Sequence, residues 1–560
     1  MPLREPAPLD WQQPATLKRV RAAIRARPFR KEGGGAIQLA QTHISTVFLT
    51  GRFVFKFKRP EDLGFANFRT LRSRLHFCRE EVRLNKRLAP DVYLGVVALR
   101  AAPNGTLTFG KRGQIVDYAV WMRRLPRHQM LDARLRTGRV QGGELDAVAA
   151  TVAGFHRRLR PSPSGAQYGG LETWRANWEE NFTQTVQEVD VTIPISMHRS
   201  LRERVFAFLE DNRKAIEARV SQGFIRNGHG DLRCEHIQLG DPVRIIDCVE
   251  FNERLRIGDV ANDLAFLLMD LCVFHRPDLA RRVLEQYQQR TGDSGLRNLI
   301  AFYACYRAFV RGKVLGMRLR DHNLTEAARV STRERARGFF ALADAFARQW
   351  GPPAMILVGG LMGTGKSTLA AALAVRTGAA RLSSDRTRKE LAGVLGEPGD
   401  YSPFGEGLYT EEWTQRTYRA LFERAEELLS QHQSVILDAT FSRARFREQA
   451  FALAKKAGAG FFVVECVAPD VVTMARLTAR ERLGLNTSDG RAELFQAHKA
   501  AFEPMTEVPA DRHGIVQTDG KMEEAIRTLL DLPGVRIPDP LFTLPEHTQA
   551  WTAARRSGSP

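Results

Sequence analysis

The feature that most constrains the fold of this chain is the segment GLMGTGKS at residues 360–367. It matches the pattern GxxxxGK(S/T), and it stands between an apolar, strand-like segment and a segment with helical periodicity, which is the context that the pattern requires. Its glycines let the backbone turn tightly and point N–H groups at phosphate oxygens, and the N-terminus of the following helix adds a favourable dipole. The segment therefore predicts a phosphate-binding loop.

The residues of this loop predict a site for Mg²⁺ and ATP, the two expected cofactors. Lys366 is expected to reach the β- and γ-phosphates, and the hydroxyl of Ser367 is expected to hold the metal ion. The nucleotide-binding residues predicted from the motif are Gly360, Gly363, Thr364, Gly365, Lys366, Ser367 and Thr368.

Short apolar segments alternate with helical ones after the break QWGPPA at residues 349–354. The predicted strands are MILVGG, ARLSSD, SVILDAT, FFVVECVA and GIVQTD. Alternation of this kind favours a parallel sheet that is covered by helices on both faces. We expect an α/β module with a doubly wound parallel sheet over residues 354–535, after a linker at residues 348–353.

Charged side chains follow these predicted strands, at the sheet edge where ligands bind in such folds. Asp438 can orient Mg²⁺ or its water shell, or it can cap the next helix. Asp385 and Arg388 form a D-x-x-R pair. In a functional interpretation, Asp385 is a base for a hydroxyl group and Arg388 is a cation that binds the acceptor. In a structural interpretation, Asp385 caps a helix and Arg388 is a surface residue. Arg480 and Arg482 lie in a basic segment that can cover a transferred phosphoryl group or form a solvated helix face.

These motifs resemble those of the small P-loop kinases, which include the gluconate kinase-like, zeta toxin-like and polynucleotide 5′-kinase groups. The resemblance is carried by GLMGTGKST, SSDRTRKEL, ILDATF and the basic segment at residues 475–491. It implies Asp385 as the catalytic base and Arg388 as a ligand of the acceptor or the phosphate. It also implies phosphoryl transfer to a hydroxyl group, with the acceptor left open.

A second set of motifs lies upstream. The segment HGDL at residues 229–232 resembles the catalytic loop of aminoglycoside phosphotransferases and protein kinases, which implies Asp231 as the base for the acceptor hydroxyl. Asp247 follows a short predicted hairpin, where such folds hold Mg²⁺, and Asp259 resembles the aspartate that braces the loop. Lys56 in FVFKFK resembles the strand lysine that holds the α- and β-phosphates, with Lys58 as an alternative.

Other parts of the upstream module follow from the same resemblance. Glu81 is the expected ion-pair partner of the strand lysine, with Glu80 as an alternative, and VDYAVWMRRLP at residues 116–126 is the expected hinge between lobes. THISTVFLTG would have to serve as the loop over the phosphates, because a GxGxxG motif is lacking.

One position departs from the family pattern. His236 stands where the family has an asparagine that binds a second metal ion, and imidazole is a poorer ligand for Mg²⁺ than an oxygen donor. Three interpretations stay open: this module uses one metal, it uses His236 differently, or it is catalytically silent.

Together these motifs resemble a bacterial two-domain family, in which an aminoglycoside phosphotransferase-like module is fused to a P-loop ATPase or kinase module. We expect an α+β bilobal protein kinase-like module over residues 37–347, with its N-lobe ending near residue 121, followed by the α/β P-loop NTPase module. Residues 1–36 are interpreted as a basic N-terminal segment, and residues 536–560 as a flexible tail.

Composition narrows the range of partners. The formal net charge is +20, but the basic residues are scattered and do not alternate with aromatic ones, so nucleic acid is a possible partner that is not favoured. The six cysteines show no CxxC spacing, and no apolar run approaches the ~18 residues of a membrane-spanning helix. We expect a cytoplasmic protein with no membrane partner.

The sequence as a whole predicts an ATP-dependent kinase that transfers a phosphoryl group to a hydroxyl of a small molecule or nucleotide. One alternative is a polynucleotide 5′-kinase, which the D-x-x-R pair and the net charge favour. Another is that the upstream module is a non-catalytic ligand sensor that regulates the P-loop module, which His236 motivates.

Overall fold

The computed structural model of the chain describes residues 8–26, 36–42, 44–64, 66–321, 324–394, 407–431, 433–483, 492–520, 522–530 and 541–542. Its contacts divide the chain into one unit that ends at Ala347 and a second unit that begins at Arg348. Most of the tail predicted at residues 536–560 lies outside the described residues.

The first unit contains a six-stranded antiparallel sheet. Its strands are β1 (Gln38–Gln41), β2 (Ser45–Leu49), β3 (Phe53–Lys58), β4 (Tyr93–Ala101), β5 (Leu107–Thr108) and β6 (Gln114–Arg123). Their order is β1-β2-β3-β6-β4-β5, so β6, which contains most of the predicted hinge segment, lies between β3 and β4.

Alternation along β3 assigns its side chains to two faces of the sheet. Phe53, Phe55 and Phe57 pack on one face with helix α1 (Pro14–Arg25), which lies in the segment interpreted as a basic N-terminus. Val54 packs on the other face against helix α2 (Leu71–Asn85), which begins where the Thr70 side chain accepts a hydrogen bond from the backbone N–H of Ser73. Since the side-chain period is two, the lysines of β3 at positions 56 and 58 also face α2.

Helices dominate the rest of the first unit. They are α3 (Leu131–Arg136), α4 (Gly142–Arg158), α5 (Gly165–Gly169), α6 (Leu171–Gln184), α7 (Ile195–Asp211), α8 (Arg213–Ser221), α9 (Glu253–Arg256), α10 (Val260–Val273), α11 (Pro277–Thr291), α12 (Leu296–Arg318) and α13 (Glu326–Ala347). Two short antiparallel pairs join β7 (Ile225–Asn227) to β10 (Ile257–Asp259) and β8 (Ile237–Gln238) to β9 (Arg244–Ile245). The sequence predicts amphipathic helices here, but α10 is buried on almost every side because α11 and α12 pack against it.

The second unit is built on a five-stranded parallel sheet. Its strands are β11 (Ala354–Gly359), β12 (Ala380–Ser383), β13 (Val435–Asp438), β14 (Gly460–Val467) and β15 (His513–Gln517), in the order β12-β13-β11-β14-β15. Its helices are α14 (Lys366–Thr377), α15 (Ser384–Ala392), α16 (Glu411–Ser430), α17 (Ala444–Lys456), α18 (Asp470–Leu483), α19 (Phe495–Ala500) and α20 (Met522–Leu530).

Both faces of this sheet are buried, which explains why its strands are continuously apolar. Ile356 and Val358 pack on one face with α14 and α20, and Met355 and Leu357 pack on the other with α16 and α17. The doubly wound parallel sheet predicted from the sequence is therefore present. In the part of the chain that is described, no helix combines the length and the apolar character needed to cross a membrane.

Candidate active sites

The phosphate-binding loop connects the C-terminal end of β11 to α14. Gly360 has φ 131°, and a Cβ there would lie 2.4 Å from the carbonyl oxygen of Cys466. Gly363 has φ 77°, and a Cβ there would lie 2.8 Å from the side chain of Thr473. A side chain at either position would therefore be strained and would collide with its surroundings, so this loop conformation requires glycine at both.

Two side chains of the loop donate hydrogen bonds to one of its own carbonyl groups. The ammonium of Lys366 and the hydroxyl of Thr364 each donate to the carbonyl oxygen of Leu361 at 2.7 Å. Lys366 is the first residue of α14, and the first turn of this helix contains no acidic residue that would compete for its dipole. The side chains of Ser367 and Thr368 in the same turn are exposed. The helix N-terminus is thus arranged to receive an anion.

Asp438 lies beside this helix because the parallel register pairs it with Val358 at the end of β11. One carboxylate oxygen accepts a hydrogen bond from the Ser367 hydroxyl at 3.3 Å, and the other accepts from Arg381 at 2.6 Å. Asp438 does not cap the next helix, since that position belongs to Arg443. The hydroxyl and carboxylate oxygens fit Mg²⁺, which takes its other ligands from water and phosphate. Arg381 was not among the residues predicted from the sequence.

Asp385 and Arg388 lie on α15, at the same end of the sheet. The helix cap is Ser383, so Asp385 is in the first turn, and its carboxylate lies 3.5 Å from the Arg388 guanidinium. Arg388 is buried rather than a surface residue, and it stacks over the ring of Tyr409 at 4.4 Å. Its Nε finds no hydrogen-bond acceptor among the described residues. A buried guanidinium with a donor to spare suits an anionic ligand.

The predicted lid arginines are only partly described. Arg480 and Arg482 belong to α18, but their side chains lie outside the described residues. The same helix carries Arg476, which the sequence motifs did not single out. Its guanidinium donates to the Thr518 carbonyl at 2.6 Å, and a Cβ on Gly365 would lie 3.5 Å from it. An arginine of this helix therefore lies beside the phosphate-binding loop.

The site of the first unit is built on a row of buried charges. The ammonium of Lys56 lies 2.9 Å from Glu81 and 2.6 Å from Asp247. Lys58 is fully buried, and it contacts the other carboxylate oxygen of Glu81 at 2.5 Å and also Glu250. The structure therefore brings both candidate lysines to Glu81, whereas the alternative partner, the preceding glutamate of α2, pairs with an arginine one turn along.

Most charges of this row stabilise one another, whereas burial and the nearby Glu81 raise the pKa of Glu250. Burial alone would raise the pKa of Asp247, but Lys56, His236 and Lys58 together outweigh burial and lower it. The pKa of Glu81 is lowered against the same effect of burial by Lys56 and Lys58. Burial would lower the pKa of Lys58, but Glu250 and Glu81 raise it to about 12. The two lysines, Asp247 and Glu81 are consequently charged at neutral pH.

The catalytic loop predicted at HGDL lies between β7 and β8. The carboxylate of Asp263 accepts hydrogen bonds from the backbone N–H groups of His229 at 2.5 Å and Gly230 at 2.8 Å. The prediction that Asp259 braces this loop is therefore wrong. Asp259 instead caps α10 and accepts hydrogen bonds from side chains of α8 and α12.

Asp231 itself is surrounded by basic groups. Its carboxylate accepts a hydrogen bond from Arg233 at 2.9 Å, and its carbonyl oxygen lies 2.9 Å from Nδ1 of His236. Nε2 of His236 lies 3.6 Å from the carboxylate of Asp247, so this histidine links the two aspartates. Burial would raise the pKa of Asp231, but Arg233 and His236 lower it, which keeps the carboxylate ionised as a general base requires.

The two residues predicted to bind metal at this site, Asp247 and His236, offer different donor atoms. The carboxylate of Asp247 is an oxygen donor of the kind that Mg²⁺ takes, while the imidazole of His236 suits Mg²⁺ poorly. Arg233 was not among the site residues predicted from the sequence, although its position two residues after Asp231 could have indicated that it lies near this carboxylate.

Family comparisons match both units. The model described as the Phosphotransferase enzyme family matches residues 38–299, and the model described as an AAA domain matches residues 355–505. The uncharacterized protein Rv2004c of Mycobacterium tuberculosis (strain ATCC 25618 / H37Rv) is 33% identical over 466 residues, which are 82% of this chain and 89% of the relative. An uncharacterized protein of Mycobacterium bovis has the same identity and coverage.

Solved structures were also compared with the chain. A choline/ethanolamine kinase family protein from Mesorhizobium loti is 16% identical, covers 59% of this chain and 94% of its own, and has a TM-score of 0.37. A gluconokinase from Sinorhizobium meliloti 1021 is 20% identical, covers 33% of this chain and 91% of its own, and has a TM-score of 0.24. With the family matches, the architecture described above confirms a kinase-like module followed by a P-loop module.

Proposed function

Since this chain belongs to a bacterial kinase family that joins a phosphotransferase-family domain to a P-loop domain, we propose that its P-loop module transfers the γ-phosphoryl group of ATP to a hydroxyl group of a small molecule or nucleotide. The observation that carries the proposal is the 3.3 Å contact between Ser367 and Asp438 at the end of the loop that holds Lys366. This contact joins the two oxygen donors that a Mg²⁺-nucleotide complex requires.

Nucleotide binding uses groups that the loop already presents. The N–H groups at the start of α14 bind phosphate oxygens, and Lys366 exchanges the Leu361 carbonyl for the β- and γ-phosphates. Bound Mg²⁺, held by Ser367 and Asp438, would neutralise charge on the phosphate oxygens. Because the contact between Lys366 and the Leu361 carbonyl lies within the loop, this exchange begins with a rotation of the lysine side chain.

Transfer uses the residues of α15. Asp385 accepts the proton of the acceptor hydroxyl, and Arg388 binds an anionic oxygen of the acceptor or of the transferred group through its unused Nε donor. Arg480 and Arg482 are assigned to charge neutralisation, as the sequence motifs predict. Catalysis of this kind rests on positioning and electrostatic stabilisation.

The test is product formation by the full chain with Asp231→Ala, which removes the base of the first unit. Sugars, gluconate, nucleosides and 5′-hydroxyl oligonucleotides serve as acceptors, and products are identified by mass spectrometry. We expect Lys366→Ala to reduce turnover about 100-fold or more, because a donor to the transition-state charge is lost. Lys456→Ala, an exposed lysine of the same unit, is the matched control and should have no effect. Undiminished turnover by Lys366→Ala would refute the proposal.

The acceptor panel also separates the alternatives. Salt-sensitive turnover of the 5′-hydroxyl oligonucleotides alone would support a polynucleotide 5′-kinase, because phosphate contacts release counterions. Phosphorylation of sugars or nucleosides would support a small-molecule kinase.

We further propose that the first unit is a second phosphotransfer site. The observation that favours it is the pairing of Lys56 with Glu81 and Asp247, in reach of a loop whose Asp231 is ionised. The alternative of a non-catalytic sensor makes a different prediction. If Asp231→Asn leaves every turnover intact while nucleotide binding persists, the sensor is supported.

A further inference from the structure

A pocket of the first unit borders the catalytic loop. Gly228 of the loop lines this pocket, and so does Arg307 of α12, which donates to the carbonyl oxygen of Gly230 at 3.2 Å. Arg254 and Arg256 also line it, together with aromatic and amide side chains of α5, α6 and α12. The pocket therefore lies next to the loop that carries Asp231, although Asp231 itself is not among its lining residues.

The carboxylates of this pocket are already engaged. Those that line it are Asp259 and Asp263. Asp263 accepts from two backbone N–H groups of the catalytic loop, and Asp259 accepts from Arg219 and from the backbone of Ala261. A cationic acceptor would have to compete with these internal bonds and would also meet three lining arginines of like charge, of which Arg254 pairs with Glu180 and Arg256 with Glu253.

Arg311 is a second basic side chain of α12 near the catalytic loop. It follows Arg307 by four residues, so both lie on the face of α12 that meets the loop. Its guanidinium lies 5.6 Å from the ring centre of Phe339, and in the part of the chain that the structure describes it has neither a hydrogen-bond acceptor nor an ion pair. Burial and the like charge of Arg233 lower the pKa of Arg311, so the surroundings of this side chain disfavour its charged form.

The carboxylates that act on Arg311 are bound elsewhere. Asp231 and Glu235 both pair with Arg233, and Asp270 accepts a hydrogen bond from the backbone N–H of Cys234. A half-buried guanidinium that makes no ion pair is available to an incoming anion, which would supply the missing charge.

We propose that the acceptor of the first unit is a hydroxyl compound that carries an anionic group, a phosphate monoester or a carboxylate, and that Arg311 binds this group. The inference rests on the second phosphotransfer site proposed above and deepens it. In the reaction, the acceptor oxygen bonds to the γ-phosphorus of ATP, its proton passes to Asp231, and the bond from the γ-phosphorus to the bridging oxygen of ADP breaks. Polycationic aminoglycosides are thereby excluded as preferred acceptors.

The experiment uses the full chain with Lys366→Ala, so that the P-loop module does not contribute. Binding is measured by calorimetry with Mg²⁺ and a non-hydrolysable ATP analogue present at saturation, and turnover is measured separately with ATP. The probes are matched by charge: glycerol 3-phosphate against glycerol, gluconate against glucose, and kanamycin as the cation. Arg311→Gln and Arg311→Lys are compared with Arg318→Gln, an exposed arginine of the same helix.

We expect an anionic probe to bind and its neutral counterpart not to bind. Arg311→Gln should weaken anion binding about 10- to 100-fold, as the loss of a charged hydrogen bond does, with the affinity for the ATP analogue unchanged. Arg311→Lys should recover part of the affinity, and Arg318→Gln should match the parent. The phosphate and carboxylate probes show which anion the site prefers.

Two results would overturn the inference: preferential use of kanamycin or of the neutral probes, or anion binding that Arg311→Gln does not weaken. Anion binding that depends on Arg311 without any turnover has a different meaning. It would support the anionic ligand while refuting the second phosphotransfer site, so the two failures are distinguishable.

Discussion

The two proposed nucleotide sites hold their candidate phosphate-binding lysines in opposite ways. In the first unit, Lys56 lies between two carboxylates, 2.9 Å from Glu81 and 2.6 Å from Asp247. In the second unit, Lys366 donates to the backbone carbonyl of Leu361 at 2.7 Å. One site is organised by buried side-chain charges, and the other by the backbone of a glycine-rich loop.

This difference predicts that substitutions at the two sites affect stability and activity differently. Buried charges must find their partners whenever the first unit folds, so substitution of one member leaves another uncompensated. The loop of the second unit takes its shape from glycine conformations and backbone bonds, so its lysine can be replaced with little cost to the fold. We therefore expect variants of the first site to affect stability and variants of the second to affect mainly activity.

The largest expected effect is the loss of stability on replacing Lys58. Lys58→Met leaves the buried Glu250 without its cation and should destabilise the first unit by about 3–5 kcal/mol, whereas Lys366→Met should cost the second unit less than about 1 kcal/mol. Peptide-resolved hydrogen exchange reports each unit separately. The double variant Lys58→Met/Glu250→Leu should recover much of the loss, because no charge is then left unpaired. Equal losses for the two single lysine variants would break the comparison.

A smaller effect is expected from acidification. Burial lowers the pKa of His229 to about 4, and its neutral ring accepts from the backbone N–H of Asp231 at 3.3 Å while it bonds the carbonyl of Ile246 at 3.0 Å. The unfolded chain takes up this proton near pH 6.5, so the stabilisation is complete above that pH and is lost as the pH falls toward 4, by about 3 kcal/mol in all.

Hydrogen exchange of the catalytic loop between pH 7 and pH 4.5 checks this prediction. His229→Asn should flatten the pH dependence of the loop's protection. His128→Asn, at an exposed position of the same unit, should retain it. A parent protein whose loop is equally protected at both pH values would contradict the assignment of a neutral, buried imidazole.

The smallest effect is expected at the metal corner of the second unit. Arg381 binds one oxygen of Asp438 and repels a cation held by the other, so Arg381→Gln should lower the Mg²⁺ concentration for half-maximal nucleotide binding by roughly 3- to 10-fold. A fluorescent ATP analogue titrated with Mg²⁺ measures this, with Arg376→Gln on the exposed side of α14 as control. A higher Mg²⁺ requirement in Arg381→Gln would show that the arginine orients the carboxylate instead.

The parts of both sites that follow from local patterns could be predicted. The P-loop is a contiguous segment whose spacing fixes its backbone, and the apolar strands around it locate the sheet. Alternation along β3 placed Lys56 and Lys58 on one face, and the family resemblance favoured Glu81 as their partner, with Glu80 as the alternative. The sequence left the choice between the two lysines open, and the structure shows that both pair with Glu81.

The parts that depend on non-local packing were missed or misassigned. Arg381 reaches Asp438 because β12 and β13 are neighbours in a particular register, which no local pattern specifies. Asp259 and Asp263 are four residues apart at the start of α10, and only the packing of the catalytic loop decides which one braces it. Arg311 lies on the face of α12 that packs near this loop. Helical periodicity alone does not show which face of the helix that is.

The measurement that tests the account most directly is ATP consumption with Mg²⁺ across the full acceptor panel by the parent, Lys366→Ala, Asp231→Ala and the double variant. The account predicts that Lys366→Ala and Asp231→Ala each lose a different acceptor-dependent activity and that the double variant loses both. If neither single variant changes any turnover, the assignment of phosphoryl transfer to these sites is wrong.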